Sequence, residues 1–277
     1  MNTKQIIVLV IVVALMGALL ARPIKGLVTE NKATTASAAS ASSSAFNFQS
    51  VSDLTKQTIN AGLAQEITAL EAKVADASGQ EKIALLEELA KKWDDLAKYA
   101  PQGFIYEEMA KISPKFEYWL KAGDAFRSAY TNLQDTAMAT ELNRLAIQSY
   151  EHATELDGNN LDAKTGLGAA MVTGTNNPMA GIALLREVVA KDPKNIQANK
   201  TLGLFSLQSR QFDKAIERFK TIVELKPDAE SYFYLATGYE NIGLKNEAIA
   251  AFQKSKELAA DPSLSQFIDR RVEELSK

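Results

Sequence analysis

Apolar positions follow three rhythms along this chain. The first is unbroken: Ile6 to Ala21 reads IIVLVIVVALMGALLA, with Lys4 before it and Arg22 and Lys25 after it. At about 1.5 Å of rise per residue a helix of this length is near the short limit for crossing a bilayer. The flanking cations extend its reach by carrying their charge to the headgroups. Leu19 and Leu20 stand where a signal-peptide cleavage site wants small residues, so a retained single-pass anchor over 1–25 is expected. In the second rhythm the large apolar residues drop out: residues 33–45 read ATTASAASASSSA. Such a stretch buries too little apolar surface to offset its ordering entropy, which predicts a flexible tether over 26–50. The third rhythm is helical. Ile59, Leu63, Ile67, Leu70 and Val74 are spaced by four and three, the stripe of an amphipathic helix over 51–80. That stripe either packs on the next helix or forms a short coiled-coil seam and makes a homo-oligomer.

From residue 81 onward the helical rhythm itself repeats. Residues 211–219 read QFDKAIERF and 244–252 read LKNEAIAAF, so Ala215 and Ala248 lie 33 apart, each followed four places later by Phe219 or Phe252. Leu202 and Gly203 precede the first copy as Leu235 and Ala236 precede the second, with Tyr239 three places after Ala236. One copy earlier the frame holds Ala169, Gly181, Leu185, Val188 and Pro193, and Pro193 to Pro227 is 34 residues. Small residues at paired positions let two helices approach closely, so Gly203, Ala236 and Ala169 are expected to face Ala215, Ala248 and Gly181, with the large neighbours filling the joint to the next copy. The proline ends the second helix of each copy, because it has no N–H to donate.

This pattern resembles the tetratricopeptide repeat, a 34-residue helix–turn–helix unit. The resemblance is sharpest over 162–195, 196–228 and 229–262. An extended copy covers 117–160, with Trp119, Gly123, Phe126, Ala146, Tyr150 and Ala153 in frame and extra residues around TNLQDTAMATE, which should lengthen its helices. A degenerate copy covers 83–116, with Leu86, Leu89, Ala90, Trp93, Tyr106, Met109 and Pro114, and Gln102 where a small residue is expected. Phe267, Ile268, Val272 and Leu275 lie on one face of 263–277, which reads as a capping helix. The implied fold is all-α: a tetratricopeptide-type helical-hairpin solenoid over 81–262, with an N-terminal transmembrane helix and a C-terminal capping helix. The plan is similar to that of bacterial single-pass membrane-anchored proteins of this type. A very short N-terminal tail followed by a tether leans towards a folded part on the periplasmic side.

Composition narrows the chemistry. The chain has 31 Lys and Arg against 34 Asp and Glu, a net charge of −3, and it shows no basic stripe of the kind nucleic-acid phosphates require. It has no cysteine and one histidine, His152, which excludes thiolate metal sites, disulfides and cysteine nucleophiles. His152 has no spaced partners for catalysis and reads as a structural histidine. The glycines of TGLGAAMVTG at 165–174 lack the spacing of a phosphate-binding loop and read as helix-packing residues. Trp93 and Trp119 fall on core positions of the repeat. No catalytic constellation, metal site or cofactor site is expected, and the protein is expected not to be an enzyme.

What the resemblance leaves is a concave groove lined by the first helix of each unit, where members of the family bind a protein or peptide. The positions carried over are Leu120, Asp124 and Arg127 from the extended copy, then Gly166, Ala170 and Thr173. Lys200, Leu204, Leu207 and Gln208 follow from the third unit, and Phe233, Thr237 and Asn241 from the last. Family members that bind chaperone tails clamp two carboxylates with paired Lys and Asn residues. Here those places hold Gly166, Ala170, Leu204 and Phe233, and only Lys200 matches. An apolar segment or amphipathic helix is the better fit to such a floor, with Arg127 and Lys200 expected as isolated cations.

Overall fold

A computed structural model describes residues 46–277 apart from Asn132, Gln134 and Asn176. The apolar run 6–21 and the tether lie outside the described residues. Within them no helix is long and apolar enough to cross a membrane.

Thirteen helices make up the described part. A leading pair, α1 (Phe48–Lys56) and α2 (Ala61–Asp76), is followed by the hairpins α3 (Gly79–Asp95) with α4 (Tyr99–Ile112) and α5 (Phe116–Thr131) with α6 (Thr136–Leu156). Then come α7 (Leu161–Gly174) with α8 (Pro178–Lys191), α9 (Ile196–Gln208) with α10 (Phe212–Leu225), α11 (Ala229–Asn241) with α12 (Lys245–Leu258), and a last helix α13 (Pro262–Leu275). Each helix packs chiefly on its neighbours in sequence, and the first helices also touch one another, α5 on α7, α7 on α9 and α9 on α11. This is a stacked array of helical hairpins with the first helices forming one layer.

The sequence sets where these helices begin and turn. First helices start on a side chain that accepts from their free N–H groups: Asn160 for α7, Asn195 for α9 and Asp228 for α11. Second helices α8, α10 and α12, which follow the turn within each hairpin, have no such side-chain cap. In two of these turns one residue takes a left-handed conformation, Arg210 (φ 60°) and, 33 residues later, Gly243 (φ 80°). α6 has 21 residues against 14 in α8, α10 and α12, and so takes up part of the extra chain of its copy.

The core is a series of clusters, one handing over to the next. Ile67, Leu70 and Val74 of α2 pack with Leu86, Leu89 and Trp93 of α3 and with Ile105 and Met109 of α4. Leu185 and Val188 of α8 meet Ala198 and Leu202 of α9. Ala215, Phe219, Leu235, Ala236, Phe252 and Ile268 bind the last four helices together. Ala215, Ala248 and Phe219 are all fully buried. Ile67, Leu70 and Val74 of the α2 stripe are therefore core.

Three details differ from expectation. The helix expected over 51–80 is two helices, because Asn60 caps a new start at Ala61, and Leu63 turns outwards at 39% exposure. Gly181 lies against Gly168 rather than Ala169: a Cβ at 181 would sit 2.5 Å from the Gly168 carbonyl oxygen. Gly203 makes room for the ring of Phe219 rather than for Ala215, a Cβ there falling 2.9 Å from Phe219 Cε2. In both cases the space freed by a missing side chain is taken by whichever group lies nearest across the helix crossing, the residue next to the paired small one in the first case and the residue one turn on in the second.

Candidate functional site

The first helices meet around an open depression of about 470 Å³. Arg127 and Tyr130 come from α5, Val172 and Thr173 from α7, Lys200, Leu204, Phe205 and Gln208 from α9, and Glu230 from α11. Leu204, Phe205 and Val172 give it an apolar middle with polar groups at both ends. Tyr130 and Thr173 join α5 to α7 by a hydrogen bond between their hydroxyls at 2.9 Å. Lys200 Nζ donates to Glu230 Oε2 at 2.6 Å, joining α9 to α11.

At the α5 end the depression rests on a buried tyrosine. Tyr150 of α6 is fully buried, and its ring fills the space left by Gly123 of its own hairpin and Gly166 of the next. Its hydroxyl donates to Asp124 Oδ1 at 2.7 Å and accepts from Arg127 Nε at 3.1 Å. Burial, and then the nearby Asp124 charge, push the Tyr150 hydroxyl well above the usual phenol range, so it stays a donor. Burial also lifts Asp124 above the usual carboxylate range, although the residue as a whole is exposed; the Tyr150 hydrogen bond and the Arg127 charge pull the other way. Burial opposes the charge of Arg127, but Tyr150 and Asp124 outweigh it and hold the guanidinium above its ordinary value.

Of the residues expected in the groove, Arg127, Thr173, Lys200, Leu204 and Gln208 line this depression together. Neither cation is isolated: Arg127 is tied to Tyr150 and Lys200 to Glu230. Asp124 opens on a separate shallow recess with Asp94, Tyr106 and Lys121. Gly166 and Ala170 are buried and offer no surface, because Gly166 receives the Tyr150 ring. Leu120 is half-buried on α5 and lies outside the lining. Leu207 packs into the C-terminal core cluster. Phe233 stacks among Tyr234, Phe252 and Phe267 with ring centroids 5.6 to 5.9 Å apart. Thr237 donates back to the Phe233 carbonyl and Asn241 to that of Thr237, both outside the depression. Sequence reasoning missed Tyr130, Gln197, Phe205 and Glu230. The signal for Tyr130 and Gln197 was helical spacing, since each lies three places from a groove residue on the same helix.

His152 is exposed, stacks on Trp119 at 4.4 Å between ring centroids and faces Glu155 at 3.2 Å. Trp93 is fully buried in the first core cluster. Among the described residues no group of His, Cys, Asp and Glu is arranged to hold a metal ion.

A stacked hairpin array with a depression on its first-helix layer is the architecture of a protein-interaction scaffold. Residues 174–237 match a family model described as Tetratricopeptide repeat, and 229–262 match a second of the same description. Residues 174–262 thus carry tetratricopeptide repeats. Among solved structures it is similar to MamA 41-end from Desulfovibrio magneticus RS-1, with TM-score 0.52 and 22% identity over 66% of this chain and 97% of that one. The MamA RS-1 ArsTM double mutant gives TM-score 0.52 and 22% identity over 66% and 96%. A further MamA crystal structure shares 25% identity over 63% and 90%, at TM-score 0.49. At these values the likeness is one of fold. No curated protein matches the sequence at a significant level.

Proposed function

We propose that this protein is a membrane-anchored scaffold that holds a partner protein in the first-helix depression and so organises a membrane-associated complex. The anchor is the apolar run Ile6 to Ala21, residues 26–50 are the tether, and the array works on the periplasmic side. The observation that carries the binding role is the depression itself, to which four successive first helices contribute. Its apolar middle between polar ends suits an apolar segment or one face of an amphipathic helix.

Immobilised full-length chain, compared with a Lys200→Ala/Gln208→Arg variant, tests the binding face. Proteins retained by the first and lost by the second support the reading; an identical retained set sinks it. Protease accessibility of the array in intact cells and in spheroplasts tests the side of the membrane, and cleavage only after the outer barrier is opened is the expected result.

A further inference from the structure

A second cleft, of about 320 Å³, opens between the second helices α8 and α10, over α9. It shares only Phe205 with the first-helix depression. Its floor is Ile182, Leu202 and Phe205, and Met179 at its edge is 60% exposed. Three cations line it, Arg186, Lys214 and Arg218, and no carboxylate does.

The partners of these cations set the cleft apart. Several other cations that bridge helices meet carboxylates: Lys164 with Glu187 at 2.6 Å, Lys200 with Glu230 at 2.6 Å, Lys256 with Asp269 at 2.5 Å. Here the acceptors are neutral amides. Lys214 Nζ donates to Gln211 Oε1 at 2.6 Å, and Arg218 Nη1 to Asn199 Oδ1 at 3.2 Å. Arg186 makes no hydrogen bond or ion pair among the described residues, and its neighbour Glu187 is engaged by Lys164 and Lys191. An amide orients a cation without cancelling its charge, so three positive groups line an apolar floor with no carboxylate paired to any of them. Guanidinium groups in that setting select carboxylates, which they bind through paired hydrogen bonds.

We propose that this cleft is a second protein-binding site, which takes a short acidic segment of a partner. One apolar side chain of the segment sits on Ile182, Leu202 and Phe205, and flanking carboxylates meet Arg186, Lys214 and Arg218. The array then engages proteins on both of its layers.

The test uses the full chain and fluorescein-labelled, amide-capped pentapeptides, read by fluorescence anisotropy at low salt. The peptide Glu-Glu-Leu-Glu-Glu is expected to bind, Lys-Lys-Leu-Lys-Lys to fail, and Glu-Glu-Gly-Glu-Glu to bind more weakly. Arg186→Glu should weaken the first peptide by about tenfold or more, the scale of one charge-assisted contact. Arg186→Lys should recover part of that loss. Arg186 has no partner to lose, so these variants keep the wild-type thermal melt. Lys200→Ala should leave the peptide affinity unchanged, which separates this site from the first-helix depression. Binding that ignores Arg186→Glu, or equal binding of the lysine peptide, overturns the proposal. So does capture by phosphatidylserine vesicles that Arg186→Glu abolishes while the acidic peptide is ignored, since the site then reads a membrane surface.

Discussion

The ring of Tyr150 occupies the place where a side chain of Gly166 would begin: a Cβ at 166 would lie 2.3 Å from both Cε1 and Cζ. Gly166 belongs to α7 and Tyr150 to the preceding hairpin, so the contact locks two repeats together. Gly166→Ala must displace a fully buried ring that is also held by hydrogen bonds at its hydroxyl. Overpacking of this kind costs about 1–3 kcal/mol. Urea denaturation of the variant should show a lower midpoint with an unchanged slope.

Tyr150→Phe removes one donor and leaves two groups short of a partner, Asp124 Oδ1 and Arg127 Nε. The hydroxyl hydrogen bond lowers the Asp124 pKa against the larger effect of burial, so its loss should move the Asp124 titration further up. A carboxyl with a raised folded pKa holds its proton more tightly in the native state, and stability falls as pH climbs from the unfolded value to the folded one. The variant should therefore lose more stability at neutral pH than in acid. Carboxyl-carbon NMR titration of Asp124 and melts at two pH values check both parts.

Arg210 pays the left-handed penalty that Gly243 avoids at the corresponding turn. For a residue with a side chain that conformation costs about 1–2 kcal/mol, partly offset in glycine by its greater unfolded-state freedom. Arg210→Gly should raise stability by up to about 1 kcal/mol, seen as a higher melting temperature. Gly243→Ala should lower it by a similar amount, although nothing stands within 4 Å of a Cβ at 243.

Lys200 and Glu230 form an ion pair at 2.6 Å, with side chains 33% and 52% exposed. Pairs this open to solvent contribute at most about 1 kcal/mol. Lys200→Ala should leave the melting temperature nearly unchanged and lose what salt dependence the pair supplies. A loss of partner capture in that background then reports on the depression and not on unfolding.

The repeat frame was legible wherever packing imposes the same demand in every copy. Ala215 and Phe219 recur as Ala248 and Phe252 because each second helix must come close to its first helix and then fill the next joint. Contacts that cross copies left no such trace. Gly166 resembled a groove residue when its own unit was read alone, and only the ring from the preceding hairpin explains it. The partner of Lys200 stands 30 residues away at the start of another helix, which no local spacing marks. The break at 57–60 escaped notice because Ile59 packs on the same core as Ile67 and so keeps the apolar stripe in phase across the turn.

Tyr150 sits behind the inner surface, yet it decides how that surface bends. Two neighbouring helices have given up side chains at Gly123 and Gly166, and one aromatic ring stands in the gap as a shim. The thickness of that shim sets the spacing between α5 and α7, and with it the span from Arg127 and Tyr130 to Thr173. The width of the depression's mouth is thus governed by a residue that is no part of its lining.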